Sequence, residues 1–489
     1  LMARVPEYSH MIELVLNVWT ERPVEFACRP AGRAASPWLC LGPFGGLETP
    51  EDDPMGSFIT AAEISPEATA ECWDAIWERG ALSKEDLAAP FARPMPDGTF
   101  TTVSVFGICA SDRPDPQSEV RVDEPRALLT ESADWTTVHP PADGAHARVL
   151  LDFGNEVIGF QEFELHAPEG AILDLHNFEF IQRDGRLNLA VGMHNSMRYT
   201  CREGVQRYRA FVRRGFRYSW LTLRNFRRPV RIRFARVIFN TYPMDGAGDF
   251  ACSDPMLGRA WHVGVRTLRC CAEDTYTDCP TYEQTHWVGD ARNEALVDLT
   301  ANGDPRLSRH CWIQAARSLE RSPIVECHVP SGWRSLLTAW ALLWMRWGQE
   351  HFLFTGDESL AREMLDWLER NVEGLKSFIN ERDLLEIRAW NMIDWAPMDA
   401  PGEGIVTHQN CLTVLALRQS ADLARRLGQD NRAGRWEALA DRVAAAVNRH
   451  LWSEERRAYL DCIHADGTRS DVFSQQTQTM AYLCGVADG

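Results

Sequence analysis

Residues 253–272 read SDPMLGRAWHVGVRTLRCCA, and this stretch decides the fold class of the C-terminal half of the chain. Ser253 and Asp254 are helix-capping residue types, and Pro255 stands where a helix tolerates proline best, at its first position. Apolar residues then recur at steps of four and three, which places them on one helix face; they are Leu257, Trp261, Val265, Leu268 and Ala272. The stretch therefore predicts an amphipathic helix.

Helical periodicity continues from this point towards the end of the sequence. Seven more apolar stretches have helical spacing, and no strand pattern long enough to compete with them lies between. Together with the first, they predict about eight helices, the later ones at 289–303, 305–320, 331–355, 357–380, 406–427, 430–452 and 471–487.

Upstream of residue 250 the patterns are those of strands. Residues 163–167 and 230–234 alternate strictly between apolar and polar side chains, which indicates half-buried strands. Pro168-Glu169-Gly170 and Asp184-Gly185 are turn signals between such runs. Residues 147–250 are therefore predicted to form an antiparallel β-sandwich of short strands.

The chain divides into four predicted segments. Residues 1–35 are left unassigned, and residues 36–146 are predicted to be a mixed, mostly β domain with one helical patch at Glu67–Glu78. The sandwich follows at 147–250, and the helices occupy 251–489. The predicted architecture is thus multidomain, with β-sandwich domains before an all-helical region.

Composition narrows the classes of function. The chain has 489 residues, 45% of them hydrophobic and 25% charged, which is typical of a soluble globular protein. A net charge of −18 argues against binding to nucleic acid or to an anionic membrane. The fourteen cysteines form no CxxC pair and no cluster with histidine, which indicates reduced thiols in the cytoplasm and gives no support for a zinc site.

The densest group of chemically active residues is the segment TDCPTYEQTHWVGD, residues 277–290. It holds three carboxylates, Asp278, Glu283 and Asp290, together with a histidine and aromatic residues. Hydrolysis of a sugar needs such a set, because one carboxyl must stay protonated to donate to the leaving oxygen and neighbouring carboxylates raise its pKa. The residues alone favour a simpler interpretation, a capped interhelical loop with Asp278 as a cap and Glu283 in solvent.

The longer segment DCPTYEQTHWVGDARNE, residues 278–294, resembles the active-site segment of bacterial α-L-rhamnosidases, glycoside hydrolase family 78. Further segments resemble the same family in the order that the family has them. They are WLCLGPF at 38–44, LLDFGNEVIGFQEFEL at 150–165, FVRRGFRYSWL at 211–221, GDFACSDPMLGRAW at 248–261, LLWMRWGQEHFLFTGD at 342–357 and NMIDWAP at 391–397.

The resemblance implies a role for each matching residue. Glu283 occupies the position of the general acid, and Asp278 and Asp290 those of the carboxylates that hold the rhamnose hydroxyls. Further residues match the wall of the sugar pocket, namely Trp287, Trp333, Asp394 and Trp395. The sequence departs from the family after Trp333, where Arg334 and Ser335 replace the usual acidic residue.

The resemblance also implies a fold and a reaction. The helical region is expected to be an (α/α)6 barrel, incomplete in this chain because about eight of its twelve helices are predicted. The expected activity is that of an inverting exo-glycosidase that removes terminal non-reducing α-L-rhamnose from rhamnosides. Inversion needs a second carboxylate to activate water, and the resemblance places this base after Gly489.

Two alternatives to this function are retained. The chain could be a non-catalytic or degenerate rhamnoside-binding protein, or a six-hairpin glycosidase that acts on a different sugar. The expected partner is a carbohydrate substrate, with no nucleic acid, membrane, cofactor or metal; the sequence does not decide between a monomer and a homodimer.

Four other features of the sequence predict either a role near the pocket or a structural role. His286 is assigned with equal weight to the pocket and to its support. Glu403 with His408, and residues 326–328, are predicted to lie in solvated loops rather than to face a pocket. One helical stripe is predicted to be core and not a sugar platform; its members are Leu336, Trp340, Leu343 and Trp347.

Overall fold

The computed structural model describes residues 2–4, 12–14, 105–109, 121–129, 133–141, 147–179, 195–244, 248–331, 335–393 and 398–487. Its contacts divide the chain into two compact units, one of Leu1–Thr241 with Cys279–Glu283 and one of Tyr242–Asp278 with Gln284–Gly489. The predicted helical patch Glu67–Glu78 and the predicted turn Asp184-Gly185 lie outside the described residues. The boundaries at 147 and 251 stay predictions.

The described strands of the first unit form a nine-stranded antiparallel sheet and a separate hairpin of β1 and β2. The strands are β1 (Met2–Arg4), β2 (Ile12–Leu14), β3 (Val105–Cys109), β4 (Val122–Asp123), β5 (Thr136–Val138), β6 (Ala147–Ala167), β7 (Ile172–Phe178), β8 (Ser196–Thr200), β9 (Gly204–Arg209), β10 (Arg214–Arg224) and β11 (Val230–Phe239).

Strand β6 is the centre of the sheet. Its first half pairs with β10 and β3, and its second half pairs with β11 and β9. The predicted alternation is confirmed at 163–167, where Phe163, Leu165 and Ala167 are buried and lie in one apolar core. The predicted turn at 168–170 is also confirmed, because β6 ends at Ala167 and β7 begins at Ile172.

The second unit contains eight α-helices in its described residues, which confirms the predicted number. They are α1 (Pro255–Cys271), α2 (Val288–Ala301), α3 (Arg306–Arg317), α4 (Thr338–Thr355), α5 (Glu358–Lys376), α6 (Thr407–Arg426), α7 (Asp430–His450) and α8 (Gln475–Leu483). Short strands lie beside the helices, β12 (Gly404–Val406), β13 (Trp452–Ser453), β14 (Ala458–Tyr459) and β15 (Cys462–His464).

The predicted helix starts agree with the structure at α1 but not at α4. The Asp254 side chain accepts a hydrogen bond from the Met256 backbone N–H at 2.8 Å, which is the predicted cap. Helix α4 begins at residue 338 rather than 331, since Leu337 has an extended backbone. Only the C-terminal end of the predicted apolar face of α1 is buried, and Leu257 is exposed.

Stacked tryptophans fill the core of the helical unit. The rings of Trp312 on α3 and Trp344 on α4 stack at 4.4 Å, and both are fully buried. Each indole N–H donates to the other residue's carbonyl oxygen. Trp347 is buried beside them, which confirms the core prediction for that residue. Among the described helices, none combines the length and the apolar character that a membrane crossing would require.

Candidate active site

The segment between α1 and α2 is closed at its base by a pair of hydrogen bonds in the helical unit. The Asp278 backbone N–H donates to the Thr285 carbonyl at 3.0 Å, and the Thr285 N–H donates to Asp278 Oδ1 at 3.0 Å. Asp278 thus caps this loop, as the simpler interpretation predicts. The same contacts hold together residues 278 and 285, which stand at the two ends of the segment 279–284.

Residues 279–283 make their contacts in the first unit, against strand β10. Thr281 is buried, and its hydroxyl donates to the Gly215 carbonyl at 3.1 Å. A Cβ atom at Gly215 would lie 2.4 Å from the Pro280 carbonyl oxygen, so only glycine permits this approach. The Asn195 side-chain amide donates to the same Gly215 carbonyl at 2.9 Å. The sheet therefore holds the short segment that carries Glu283.

Glu283 is the last residue of that segment and is half-buried. Its backbone N–H donates to the Cys279 sulfur at 3.1 Å, and this contact joins the two ends of residues 279–283. The next residue, Gln284, has a backbone φ of 51°, in the left-handed region that residues other than glycine adopt at a cost. The backbone on both sides of Glu283 thus has a defined geometry, set by the Cys279 contact before it and by the left-handed φ after it.

Asp290 lies in the first turn of α2, where the helix dipole favours a negative charge. Its Oδ2 accepts a hydrogen bond from the Trp340 indole N–H at 2.9 Å. The Trp340 ring packs on Gly289, since a Cβ there would lie 2.5 Å from ring atom Cδ2. Trp340 is only half-buried, so the core prediction for this residue is incomplete. The Trp340 side chain therefore supports Asp290, a predicted site carboxylate.

Trp287 precedes α2 and takes part in a small aromatic cluster. Its ring meets the His328 ring edge-to-face at 4.8 Å and the Trp390 ring at 6.2 Å. The backbones of Trp287 and His328 form an antiparallel bridge. Trp287 and Trp390 are both half-buried, so they present apolar ring surface of the kind that stacks on sugars.

Two further carboxylates follow Asp290 along α2, Glu294 and Asp298, and Asp298 is fully buried. The Tyr276 hydroxyl donates to Asp298 Oδ2 at 2.5 Å, and the Asn302 amide donates to Asp298 Oδ1 at 2.6 Å. Burial raises the pKa of Asp298 despite these bonds. Burial, followed by repulsion from Asp290, Asp278 and Asp298, raises the pKa of Glu294 well above its ordinary value. Glu294 therefore favours its neutral, protonated form.

His286 is buried and supports the loop. Its Nδ1–H donates to the Val329 carbonyl at 2.5 Å, and burial lowers the pKa of the ring to about 4. The ring is neutral above that pH. Of the two roles considered for His286, the contacts favour support.

Two of the solvated-loop predictions are wrong. Glu326, Cys327 and His328 are buried, because the backbone of this segment pairs with Trp287 and Val288 at the start of α2. His408 is fully buried in the first turn of α6. Glu403 is exposed as predicted, in an ion pair with Arg388 at 2.6 Å.

Three predicted pocket residues, Trp333, Asp394 and Trp395, lie outside the described residues. Hydrogen bonds hold the segment that precedes Asp394 and Trp395. The Gln409 side-chain amide donates to the carbonyl oxygens of Asn391 and Met392 at 3.1 and 3.2 Å. Thr338 donates to the Asn391 side chain at 2.8 Å.

One group of described residues has the composition of a metal site: Asp399, Cys462 and His464, whose ligand atoms lie within 4.8 Å of one another. The group is held together by hydrogen bonds. His464 Nε2 and Asp399 Oδ2 lie 2.9 Å apart, and the Ser470 hydroxyl donates to the same Asp399 oxygen at 2.6 Å. These bonds account for the arrangement.

The structure thus brings Asp278, Trp287 and Asp290 into one unit and places Glu283 on the short segment held by the sheet. Sequence reasoning did not assign to the site four residues that neighbour Trp287 or Asp290: His328, Trp390, Trp340 and Glu294. Only Glu294 carried a usable signal, because it lies one helical turn after Asp290. The others reach the site through tertiary contacts.

Comparisons with known proteins agree on one family. Residues 245–484 match the family model described as the bacterial alpha-L-rhamnosidase 6 hairpin glycosidase domain. Residues 144–235 match the model described as the bacterial alpha-L-rhamnosidase concanavalin-like domain. The two matches follow one another along the chain.

Solved structures are similar over most of the chain. A GH78 family rhamnosidase of Bacillus sp. GL1 is 41% identical with a TM-score of 0.72, covering 75% of this chain and 38% of that one. A rhamnosidase from Klebsiella oxytoca with rhamnose bound has a similar fold, at 18% identity and a TM-score of 0.58, covering 83% and 79%.

A curated relative, an alpha-L-rhamnosidase of Formosa agariphila, is 22% identical over 157 residues. That match covers 30% of this chain and 16% of the relative. The chain therefore spans well under half the length of the Bacillus and Formosa proteins.

Proposed function

The chain belongs to the bacterial α-L-rhamnosidase family, and from that membership we propose that it hydrolyses terminal non-reducing α-L-rhamnose from rhamnosides with inversion. The observation that carries this proposal is the loop between α1 and α2. There Asp278 and Asp290 flank the segment that holds Glu283, and Trp287 contributes an aromatic ring. The family assigns a function to each of these four positions.

In this proposal Glu283 is the general acid. It donates a proton to the glycosidic oxygen as the bond to the anomeric carbon breaks, and water attacks that carbon from the opposite face. Asp278 and Asp290 hold sugar hydroxyls, and Trp287 with Trp390 supplies apolar ring faces. Trp333, Asp394 and Trp395 are proposed to complete the pocket wall. The general base is not assigned to a residue of this sequence.

The fold proposed with this function is a β-sandwich followed by a six-hairpin (α/α)6 barrel. The nine-stranded antiparallel sheet supports the first part, together with the match to a concanavalin-like domain. The eight helices support the second, together with the match to a six-hairpin glycosidase domain.

The test uses the protein encoded by the complete reading frame that contains this sequence. Proton NMR would follow an aryl α-L-rhamnoside during the first minutes of hydrolysis. The expected first product is β-L-rhamnose, which then mutarotates. A linear rhamno-oligosaccharide should release only monosaccharide. A first-formed α anomer would contradict inversion, and larger fragments would contradict exo action. The absence of any release would contradict the rhamnosidase assignment.

A further inference from the structure

Glu294 lies on α2 between two other carboxylates. Asp290 precedes it by four residues and Asp298 follows it by four, so all three point from one side of the helix. Two hydrogen bonds satisfy Asp298, and the Trp340 indole N–H reaches Asp290. Glu294 differs from both, because its Oε2 is buried and has no hydrogen-bond partner among the described residues.

No cation compensates Glu294 within the described part of the helical unit. Every charged group that shifts the pKa of Glu294 is a carboxylate, and each raises it. The basic residue nearest in sequence on α2, Arg292, is paired with Glu350. A carboxyl in such surroundings keeps its proton, and a neutral carboxyl is a hydrogen-bond donor.

Tyr276, which interacts electrostatically with Glu294, has both of its donors engaged with other residues. The Tyr276 hydroxyl is bonded to Asp298, and the Tyr276 backbone N–H donates to the Cys311 sulfur at 3.3 Å. A buried carboxyl oxygen without a partner destabilises the folded state. Functional sites often retain such a loss of stability, because the bound ligand supplies the missing hydrogen-bond partner.

We propose that Glu294 is a further sugar-contacting residue, whose buried carboxyl group donates a hydrogen bond to one hydroxyl of bound L-rhamnose. The proposal rests on the proposed function. In this proposal Asp278 and Asp290 accept hydrogen bonds from the sugar, whereas Glu294 supplies a complementary donor one helical turn further along α2. A sugar hydroxyl can both donate and accept a hydrogen bond. Two acceptors and one donor on the protein therefore favour one orientation of the sugar ring over others.

The experiment compares Glu294→Gln and Glu294→Met with the unaltered protein. Calorimetry at neutral pH measures the Kd of L-rhamnose. Thermal unfolding measures the unfolding temperature of each variant. Gln keeps the size and a neutral N–H donor, so its Kd should stay within about threefold. Met keeps the length without a donor, so its Kd should rise about tenfold, the loss expected for one neutral hydrogen bond. The unfolding temperature of the Met variant should rise, since the unpartnered oxygen is gone. Exposed Glu363 on α5 supplies the matched control, Glu363→Gln.

Monodeoxy analogues identify the hydroxyl. Against the unaltered protein, removal of that one hydroxyl should weaken binding about tenfold, while Glu294→Met should bind this analogue and L-rhamnose equally. Unchanged L-rhamnose binding by the Met variant would overturn the inference alone. A Gln variant that binds L-rhamnose as weakly as the Met variant would also overturn it, because Glu294 would then act as an anion. A Met variant that fails to fold would overturn it as well. If the unaltered protein neither binds nor hydrolyses rhamnosides, the proposed function itself fails.

Discussion

Asp278 and Thr285 hold each other by two hydrogen bonds of 3.0 Å, one from each backbone N–H. The first ends on the Thr285 carbonyl, and the second ends on the Asp278 carboxylate. Only the second depends on the side chain. Asp278 therefore has a structural role in closing the loop, in addition to its proposed contact with sugar, and a substitution can separate the two.

Asp278→Asn and Asp278→Ala should differ in stability but not in their loss of activity. Asn keeps an oxygen that can accept from the Thr285 N–H, whereas Ala leaves that donor unpaired. We expect Ala to lower the free energy of unfolding by about 1 kcal/mol and Asn by much less. Both remove the carboxylate and should strongly reduce kcat/KM. Urea unfolding and rhamnoside hydrolysis measure the two effects. Equal stability of the variants would show that the Thr285 contact contributes nothing.

Glu283→Gln should depend strongly on the leaving group. A nitrophenolate leaves readily without a proton, but a sugar alkoxide does not, so a general acid matters most for the sugar. We expect kcat/KM to fall about 10²–10⁴-fold on a rhamnosyl disaccharide and far less on nitrophenyl rhamnoside. Glu169→Gln, at an exposed turn of the first unit, is the control. An equal loss on both substrates would point to Asp290 as the acid.

The sequence predicts the elements of the helical unit well because the signals that define them are local. The Asp254 cap with Pro255 marks the start of α1, and apolar spacing identifies all eight helices. The predicted start of α4 is misplaced, since the apolar residues Leu336 and Leu337 precede the helix, and Leu337 has an extended backbone. Periodicity cannot distinguish an apolar residue that precedes a helix from one within it.

The candidate site is predicted less completely, because its remaining parts come from distant segments. Trp340 fits a core stripe by spacing, and only the tertiary structure shows its indole N–H on Asp290. Residues 326–328 have the composition of a loop, but pairing with the start of α2 buries them. Burial of a polar loop depends on which backbone pairs with it, and a single sequence does not carry that information.

Gly289→Ala should damage the site, because Trp340 packs directly against that glycine. A methyl group there would lie 2.5 Å from the ring, so the indole must move and its N–H must leave Asp290. We expect a loss of about 1–3 kcal/mol in unfolding free energy and a clear drop in kcat/KM. Trp340→Phe should reproduce the kinetic loss. Gly264→Ala in α1 is the matched control: nothing lies within 4 Å of its Cβ, and helix propensity should leave stability unchanged or raise it. Full activity in Gly289→Ala would contradict the support role of Trp340.

The last prediction concerns acid stability and His351 on α4. This side chain is buried and lies 2.9 Å from the Ser308 hydroxyl, and burial lowers its pKa to about 4 from an ordinary value of 6.5. Between these two values the unfolded chain binds a proton at this position and the folded chain does not. The free energy of unfolding must therefore fall as the pH decreases from 6.5 to 4, and this group has no such effect at higher pH.

The expected contribution of His351 is about 3 kcal/mol across that window, from roughly 1.4 kcal/mol per unit of pKa. His351→Gln removes the titrating ring and retains a side chain that can bond to Ser308. Urea unfolding of both proteins from pH 4 to 8 should show a shallower decline for the variant on the acid side. His408, whose pKa burial also lowers to about 4, still titrates in the variant, so its curve should flatten without becoming level. Parallel curves for the two proteins would mean that His351 is protonated in the folded state as readily as in the unfolded chain.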